Sequence, residues 1–269
     1  MRLLACQFHA APPAEQPAAL KRLVHELGLT GMPANLLLHP ATYQMHLLDC
    51  PEVPAEELRD AMRWRVKESI GEPLDQVVID AFALPDDAYR GRSRMAYCAV
   101  LGKAAMVSMG AMIGQAGLNL ASIDVTEMAL RNLGLQAGAE GMNVALLRLR
   151  SSGGLICVQH GAELYMARRI EHGLERAGED FASVTLEIQR SLDYFESQLG
   201  KGYINRLLVL PMKREGVAVL EALAGGLAVK LQALDLRELF SGQPAAELEP
   251  QQQAYCMTAV GAALRQDVP

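Results

Sequence analysis

The residues best placed to do chemistry surround a short loop, Ser151-Ser152-Gly153-Gly154, which joins the apolar runs 144–149 and 155–158. Glycine carries no Cβ, so its backbone N–H groups can approach an anion closely, and such a loop could cradle a phosphate. The same four residues suit a tight turn between two strands, where glycine supplies the backbone freedom. Which of these the loop is decides whether the chain is an enzyme. Other candidates are weaker. His39 and His46 stand seven apart across a proline, which does not place them on one helical face as a ligand pair. Asp49, Asp80 and Asp124 each flank an apolar run, and paired carboxylates can do acid–base work, yet no His, Ser or Cys motif accompanies them. Structural or turn roles are the simpler expectation for all five.

Positive charge gathers at Arg63, Arg65 and Lys67 and again in Arg90-Gly91-Arg92-Ser93-Arg94. These groups could guide an acidic tail or face anionic lipid, with a solvated face as the plainer reading. Met106, Met109 and Met112 invite comparison with adaptable peptide grooves, but Met106 and Met109 fall on a helical core stripe, which favours packing. Trp64 lies beside the stripe of its helix and is a candidate for a partner contact.

Composition narrows the classes. At 269 residues and 51% apolar content the chain is globular, and a net charge of −6 argues against a nucleic-acid partner. Five dispersed cysteines without a C-x-x-C suggest neither a disulfide framework nor a zinc site, and a reducing cytoplasm fits them. The N-terminal residues make no signal peptide, and no run approaches ~18 apolar residues, so a soluble protein without membrane insertion is expected.

The elements that must position these residues follow from periodicity. Runs 3–8 and 36–38 enclose a helix over 17–27, a β-α-β beginning. A strand at 43–48 precedes Pro51 and Pro54, which set the start of a helix whose stripe is Leu58, Met62, Val66 and Ile70, stopped at Gly71. Strands at 77–84 and 95–101, a helix closed by Gly117 and a strand at 118–125 complete a β-α-β-β-α-β order, as in a ferredoxin-like split unit. Beyond Leu133 an antiparallel meander is expected at 144–149, 155–158 and 164–170. A helix follows with Phe181, Val184, Ile188, Leu192, Phe195 and Leu199 on one face, closed by Gly200 and Gly202. Strands at 205–210 and 227–231 and helices at 215–224 and 251–264 finish a mixed α/β layer.

Two stretches carry a resemblance: PEVPAEELRDAMRWRVKESIGEPLDQVVIDAFALP and MAYCAVLGKAAMVSMGAMIGQAGLNLASIDVTEMALRNL. With YMARRIEHG, LEIQRSLDYFESQLG and TAVGAALR behind them in order, the chain resembles the PilM family of type IV pilus assembly proteins over roughly residues 50 to 265, nearest its MshI-type branch of mannose-sensitive haemagglutinin pili. The resemblance implies an actin-like, ribonuclease H-like two-lobed α/β fold with a small inserted subdomain of the ferredoxin-like or FtsA type. It divides the chain into a first subdomain over 1–50, the insertion over 51–125 and a second subdomain over 126–269. It further implies a cytoplasmic protein, peripheral to the inner membrane, that holds the short N-terminal tail of a PilN-like membrane subunit beside other pilus assembly proteins. The tail would lie in a groove between the first subdomain and the insertion.

Typical members bind ATP between their halves, holding phosphates on two glycine-containing hairpins, each beside a carboxylate that positions magnesium. Nothing here precedes Arg2 to form the first hairpin. Where the second should carry Asp-x-Gly stands Leu146-Leu147-Arg148-Leu149-Arg150, and a guanidinium cannot replace a carboxylate at magnesium. Pro211-Met212-Lys213-Arg214-Glu215-Gly216 stands in place of the family's Gly-Gly turn at the adenine. Arg148, Arg150, Ser152, Gly153, Pro211 and Met212 thus mark a degenerate nucleotide site. The expectation is a plain hairpin, no ATP or magnesium cofactor, and a pseudo-ATPase scaffold; an ATP-binding relative and the cytoplasmic domain of a GspL-like secretion component are the alternatives.

Overall fold

The opening helix, α1 (Gln16–Glu26), begins at Pro17, whose missing N–H belongs to the unbonded first turn, and turns Val24 inward. It ends at Gly28, whose φ of +65° is a conformation that a residue with a Cβ resists. The protein is known from a computed structural model, which describes residues 1–89, 94–177, 181–199, 202–213 and 216–266. Its contacts divide the chain into two compact units, one of His9–Asp86 with Gly91–Thr126, the other of Met1–Phe8, Asp87–Arg90 and Glu127–Pro269.

The first unit continues with β1 (Pro33–Leu37), β2 (Tyr43–Asp49), α2 (Leu58–Val66), β3 (Val77–Ala83), β4 (Met95–Gly102), α3 (Lys103–Gln115) and β5 (Asn119–Asp124). β2, β4 and β3 form an antiparallel sheet in that order. The predicted stripe of α2 closes one of its faces: Leu58, Met62 and Val66 are buried against Cys50, Val77, Ile79, Ala96, Cys98 and Val100. Toward α3, Leu38, Tyr43 and Leu101 form a second cluster, joined by Met45, Met106 and Met109. Those two α3 methionines therefore pack, partly buried, against the core. The element order is the expected β-α-β-β-α-β, with one difference: β5 leaves the three-stranded sheet and pairs in parallel with β1. A parallel pair needs a long crossover, and everything from β2 to α3 supplies it; Leu38 N–H extends the ladder to Asp124 O. Each of the two sheets of this unit takes strands from both sides of residue 50: β1 and β2 come before it, and β3, β4 and β5 after it.

In the second unit, α4 (Thr126–Gln136) buries Ala129, Leu130 and Leu133. Then come the meander strands β6 (Asn143–Arg150), β7 (Gly153–His160) and β8 (Glu163–Ile170), a turn of helix α5 (Leu174–Ala177), and α6 (Ala182–Tyr194), which continues as a π-turn through Leu199. Val184, Ile188, Leu192, Phe195 and Leu199 are buried as their spacing predicts; Gly200 lies outside the described residues. β9 (Arg206–Val209), α7 (Gly216–Gly226), β10 (Leu231–Ala233), the short α8 (Leu236–Leu239) and α9 (Gln243–Ala246), and α10 (Pro250–Ala263) complete the chain. The sheet order is β10-β9-β6-β7-β8, with β9 parallel to both neighbours.

Two strand expectations are corrected. The run 227–231 does not start a strand, because Leu227 N–H bonds back to Leu223 O and prolongs α7, leaving β10 to begin at Leu231. The run 3–8 does not open the first unit. Instead Leu3 N–H donates to Ser241 O (3.0 Å) and Ser241 N–H to Met1 O (3.1 Å), a parallel bridge at Arg2, and Phe8 stacks on Tyr255 of α10. No helix among the described residues is long and apolar enough to cross a membrane.

Candidate functional site

The Ser151-Ser152 turn closes a hairpin in which Arg150 pairs with Gly153 and Leu149 with Gly154. Its glycines face the protein's own backbone. A Cβ on Gly153 would lie 2.7 Å from Ile170 O, one on Gly154 2.6 Å from Arg148 O, and one on Gly173 2.2 Å from both Gly153 N and Ser151 O. Glu175 N–H, at the start of α5, donates to Ser151 O (3.0 Å). From α6, Glu187 holds the same segment: its carboxylate accepts from Glu171 N–H (2.8 Å), His172 N–H (3.2 Å) and His172 Nδ1 (3.0 Å). Burial pushes the Glu187 carboxyl up, but these hydrogen bonds outweigh it and hold it below its ordinary value. The close approach that glycine permits is spent here on residues 170–175.

Arg148 and Arg150 lie two apart on β6 and so share a face; both are half-buried, and burial lowers the Arg150 guanidinium from its ordinary value. Leu210 N–H bonds to Leu147 O (2.9 Å), which brings Pro211 and Met212 to the same end of the sheet. Met212 is buried beside Gly216. Lys213 places its ammonium 4.1 Å from the ring centroid of Tyr255, a cation–π contact. Arg214 and Glu215 lie outside the described residues.

The other candidates separate. His39 accepts Ala41 N–H in a turn and His46 meets Gln44, two local contacts. Asp80 and Asp124 each accept the next residue's N–H. Asp49 pairs with Met95 and Asp80 with Ala99 on opposite sides of β4, four residues apart along it, about 13 Å, too far for a carboxylate pair. Arg63 donates to Leu74 O and Arg94 pairs with Asp86, while 90–93 lie outside the described residues. Among the described residues no group of three His, Cys, Asp or Glu is placed to hold a metal ion.

Of the expected partner residues, Trp64 and Arg65 line a groove. Trp64 is 68% exposed, with the Lys67 ammonium 6.0 Å from its ring. The end of β2 and the outer face of α2 enclose a groove of about 580 Å³ lined by Leu48, Asp49, Ala61, Trp64, Arg65, Glu68 and Ser69. Sequence reasoning missed Leu48, Ala61, Glu68 and Ser69. The signal was present in part, since Ala61, Trp64, Arg65 and Glu68 recur at helical spacing on a face flanking the buried Leu58, Met62 and Val66. Nothing local announces that β2 runs alongside.

No protein-family model matches the sequence, and comparison with curated proteins finds no match. Solved structures do. A PilM–PilN type IV pilus biogenesis complex matches with a TM-score of 0.71 at 19% identity, over 95% of this chain and 85% of that one. The cytoplasmic domain of EpsL, an inner membrane component of the type II secretion system of Vibrio cholerae, matches with a TM-score of 0.51 at 10% identity, over 93% and 82%. The chain has an actin-like fold. In an actin-like nucleotide site the β6–β7 hairpin would need a magnesium-positioning carboxylate. The end of β6 supplies Arg148 and Arg150 instead, and the hairpin glycines are pressed against residues 170–173. These residues do not fit Mg-ATP.

Proposed function

We propose that the chain is a cytoplasmic scaffold of a type IV pilus assembly machine, peripheral to the inner membrane, that grips the N-terminal tail of a PilN-like membrane subunit. The observation that carries this reading is the match, across nearly the whole chain, to a structure solved as a PilM–PilN complex. The weaker match to EpsL supports the same broad role in secretion, and its lower TM-score favours the pilus. Within that family the MshI-type branch remains the finer assignment.

The grip works without turnover. Three features support a pseudo-ATPase: guanidinium groups where magnesium needs a carboxylate, hairpin glycines committed to the protein's own backbone, and Pro211-Met212 where the adenine turn stands in the family. The decisive measurement is calorimetric titration with synthetic N-terminal peptides of candidate membrane subunits, run beside thermal unfolding in Mg-ATP. One such peptide should bind with micromolar or better affinity. A nucleotide at ~100 times its dissociation constant would stabilise by ~2.7 kcal/mol. Millimolar Mg-ATP is expected to shift nothing; a clear shift would restore the ATP-binding alternative, and failure of every peptide would remove the scaffold.

A further inference from the structure

Cys6 and Cys256 stand 250 residues apart in the sequence, yet the fold of the second unit brings their thiols into hydrogen-bond contact. The contact is held from both sides. Before it, Leu3 N–H donates to Ser241 O, and a Cβ on Gly242, which has a φ of +112°, would lie 2.9 Å from Leu3 O. After it, Phe8 stacks on Tyr255 with ring centroids 4.0 Å apart. Cys6 thus lies between two anchors of the N-terminal segment, and Cys256 follows the second anchor directly on α10.

The pair also differs from the other thiols. Cys50, Cys98 and Cys157 are buried, and burial leads in raising each of them, Cys98 to about 11. A thiol kept neutral is a poor nucleophile. In Cys256 the hydrogen bond from Cys6 outweighs burial and holds the thiol below its ordinary value, while the same contact and burial push Cys6 up. One sulfur is ready to ionise, and a half-buried thiol touches it, as in an attacking and resolving couple.

We infer that Cys6 and Cys256 form a site of reversible oxidation by hydroperoxides, whose disulfide latches the N-terminal segment onto α10. The Cys256 thiolate attacks an oxygen of the hydroperoxide, the O–O bond breaks, and the departing oxyanion takes up a proton, leaving Cys256 as a sulfenic acid. The Cys6 sulfur then attacks the Cys256 sulfur; the S–S bond forms, and the hydroxyl leaves with the Cys6 proton as water. The two thiols have passed two electrons to the peroxide, and a dithiol reductant returns them. The reduced segment rests on contacts such as the Ser241 bridge and the ring stack. The oxidised one is tied covalently, closing nearly the whole chain into one loop.

Hydrogen peroxide added to the purified full chain supplies the test. Tryptic digestion without reductant should yield residues 3–21 joined to residues 238–265. Amide exchange over residues 3–8 should slow about tenfold, and dithiothreitol should reverse both effects. Cys6→Ser should lose both and accumulate a Cys256 sulfenic acid that dimedone traps; circular dichroism checks its folding, and the wild-type mapping stands whether or not this variant folds. Absence of the linked peptide, links to other cysteines in its place, or unchanged exchange across the segment would overturn the latch.

Discussion

Gly173 shows how a single residue can separate a packing role from a ligand role. Its missing Cβ makes room for Gly153 N and Ser151 O, backbone atoms that cannot move aside cheaply. Gly173→Ala should therefore cost about 3 kcal/mol, read from denaturant midpoints. Gly114, in α3 with open space where its Cβ would go, is the control: Gly114→Ala should stabilise by about 0.5–1 kcal/mol. A mild effect at Gly173 would release the hairpin from its packing role and weaken the pseudo-ATPase argument. Asp235 tests electrostatics at the same scale. It caps α8 by accepting Arg237 N–H (2.8 Å), pairs with the Arg237 side chain and accepts from buried Gln253 (2.9 Å). Arg237 leads in holding its carboxyl down to about 2. A depressed carboxylate stabilises above its unfolded value near 4, and that contribution is lost as pH falls through about 2. Asp235→Asn should thus cost about 1 kcal/mol at pH 7, solvent screening having trimmed the ion pair, and almost nothing at pH 2.

Among the elements, the legible helices bury one face, and the stripes of α2 and α6 were readable because burial on one side leaves a period. The β6–β8 meander was readable for another reason: β6 and β7 are buried on both faces and read as short apolar runs between turn residues. α4 was not readable: Ala129, Leu130 and Leu133 are buried together with Glu127 and Asn132, whose amide donates to Gly261 O (3.0 Å), so polar positions interrupt the pattern from inside. The run 3–8 failed in the opposite sense. It has the composition of a strand, but its partner is Ser241, a choice no local rule contains. The α6 stripe gives a prediction of its own. Ile188→Ala should cost 2–5 kcal/mol, depending on how far the cavity collapses, whereas Leu186→Ala, at a half-exposed position of the same helix, should stay within about 0.5 kcal/mol. Equal costs would mean that the helix presents another face to the core.

The whole molecule holds two compact units, and the groove belongs to one of them. The sequence separated residues 1–50 from the insertion at 51, yet β2 and α2, from either side of that line, build the groove together; Asp49, Trp64 and Arg65 were singled out beforehand, but not as one site, because the contact between the two elements is non-local. If stability is likewise organised by unit, a defect should report where it is made. Met62 is fully buried on the inner face of α2, and Ile156 is fully buried in β7 of the other unit. Met62→Ala should cost 2–5 kcal/mol, speed amide exchange in β2, β3, β4 and α2, and weaken tail binding, while β6, β7 and β8 keep their protection. Ile156→Ala should do the reverse and leave the affinity for the tail unchanged. Native-state hydrogen exchange measured beside peptide titration decides it. Should either variant accelerate exchange equally throughout, the units unfold as one body, and loss of tail binding on mutation would no longer locate the site near Trp64.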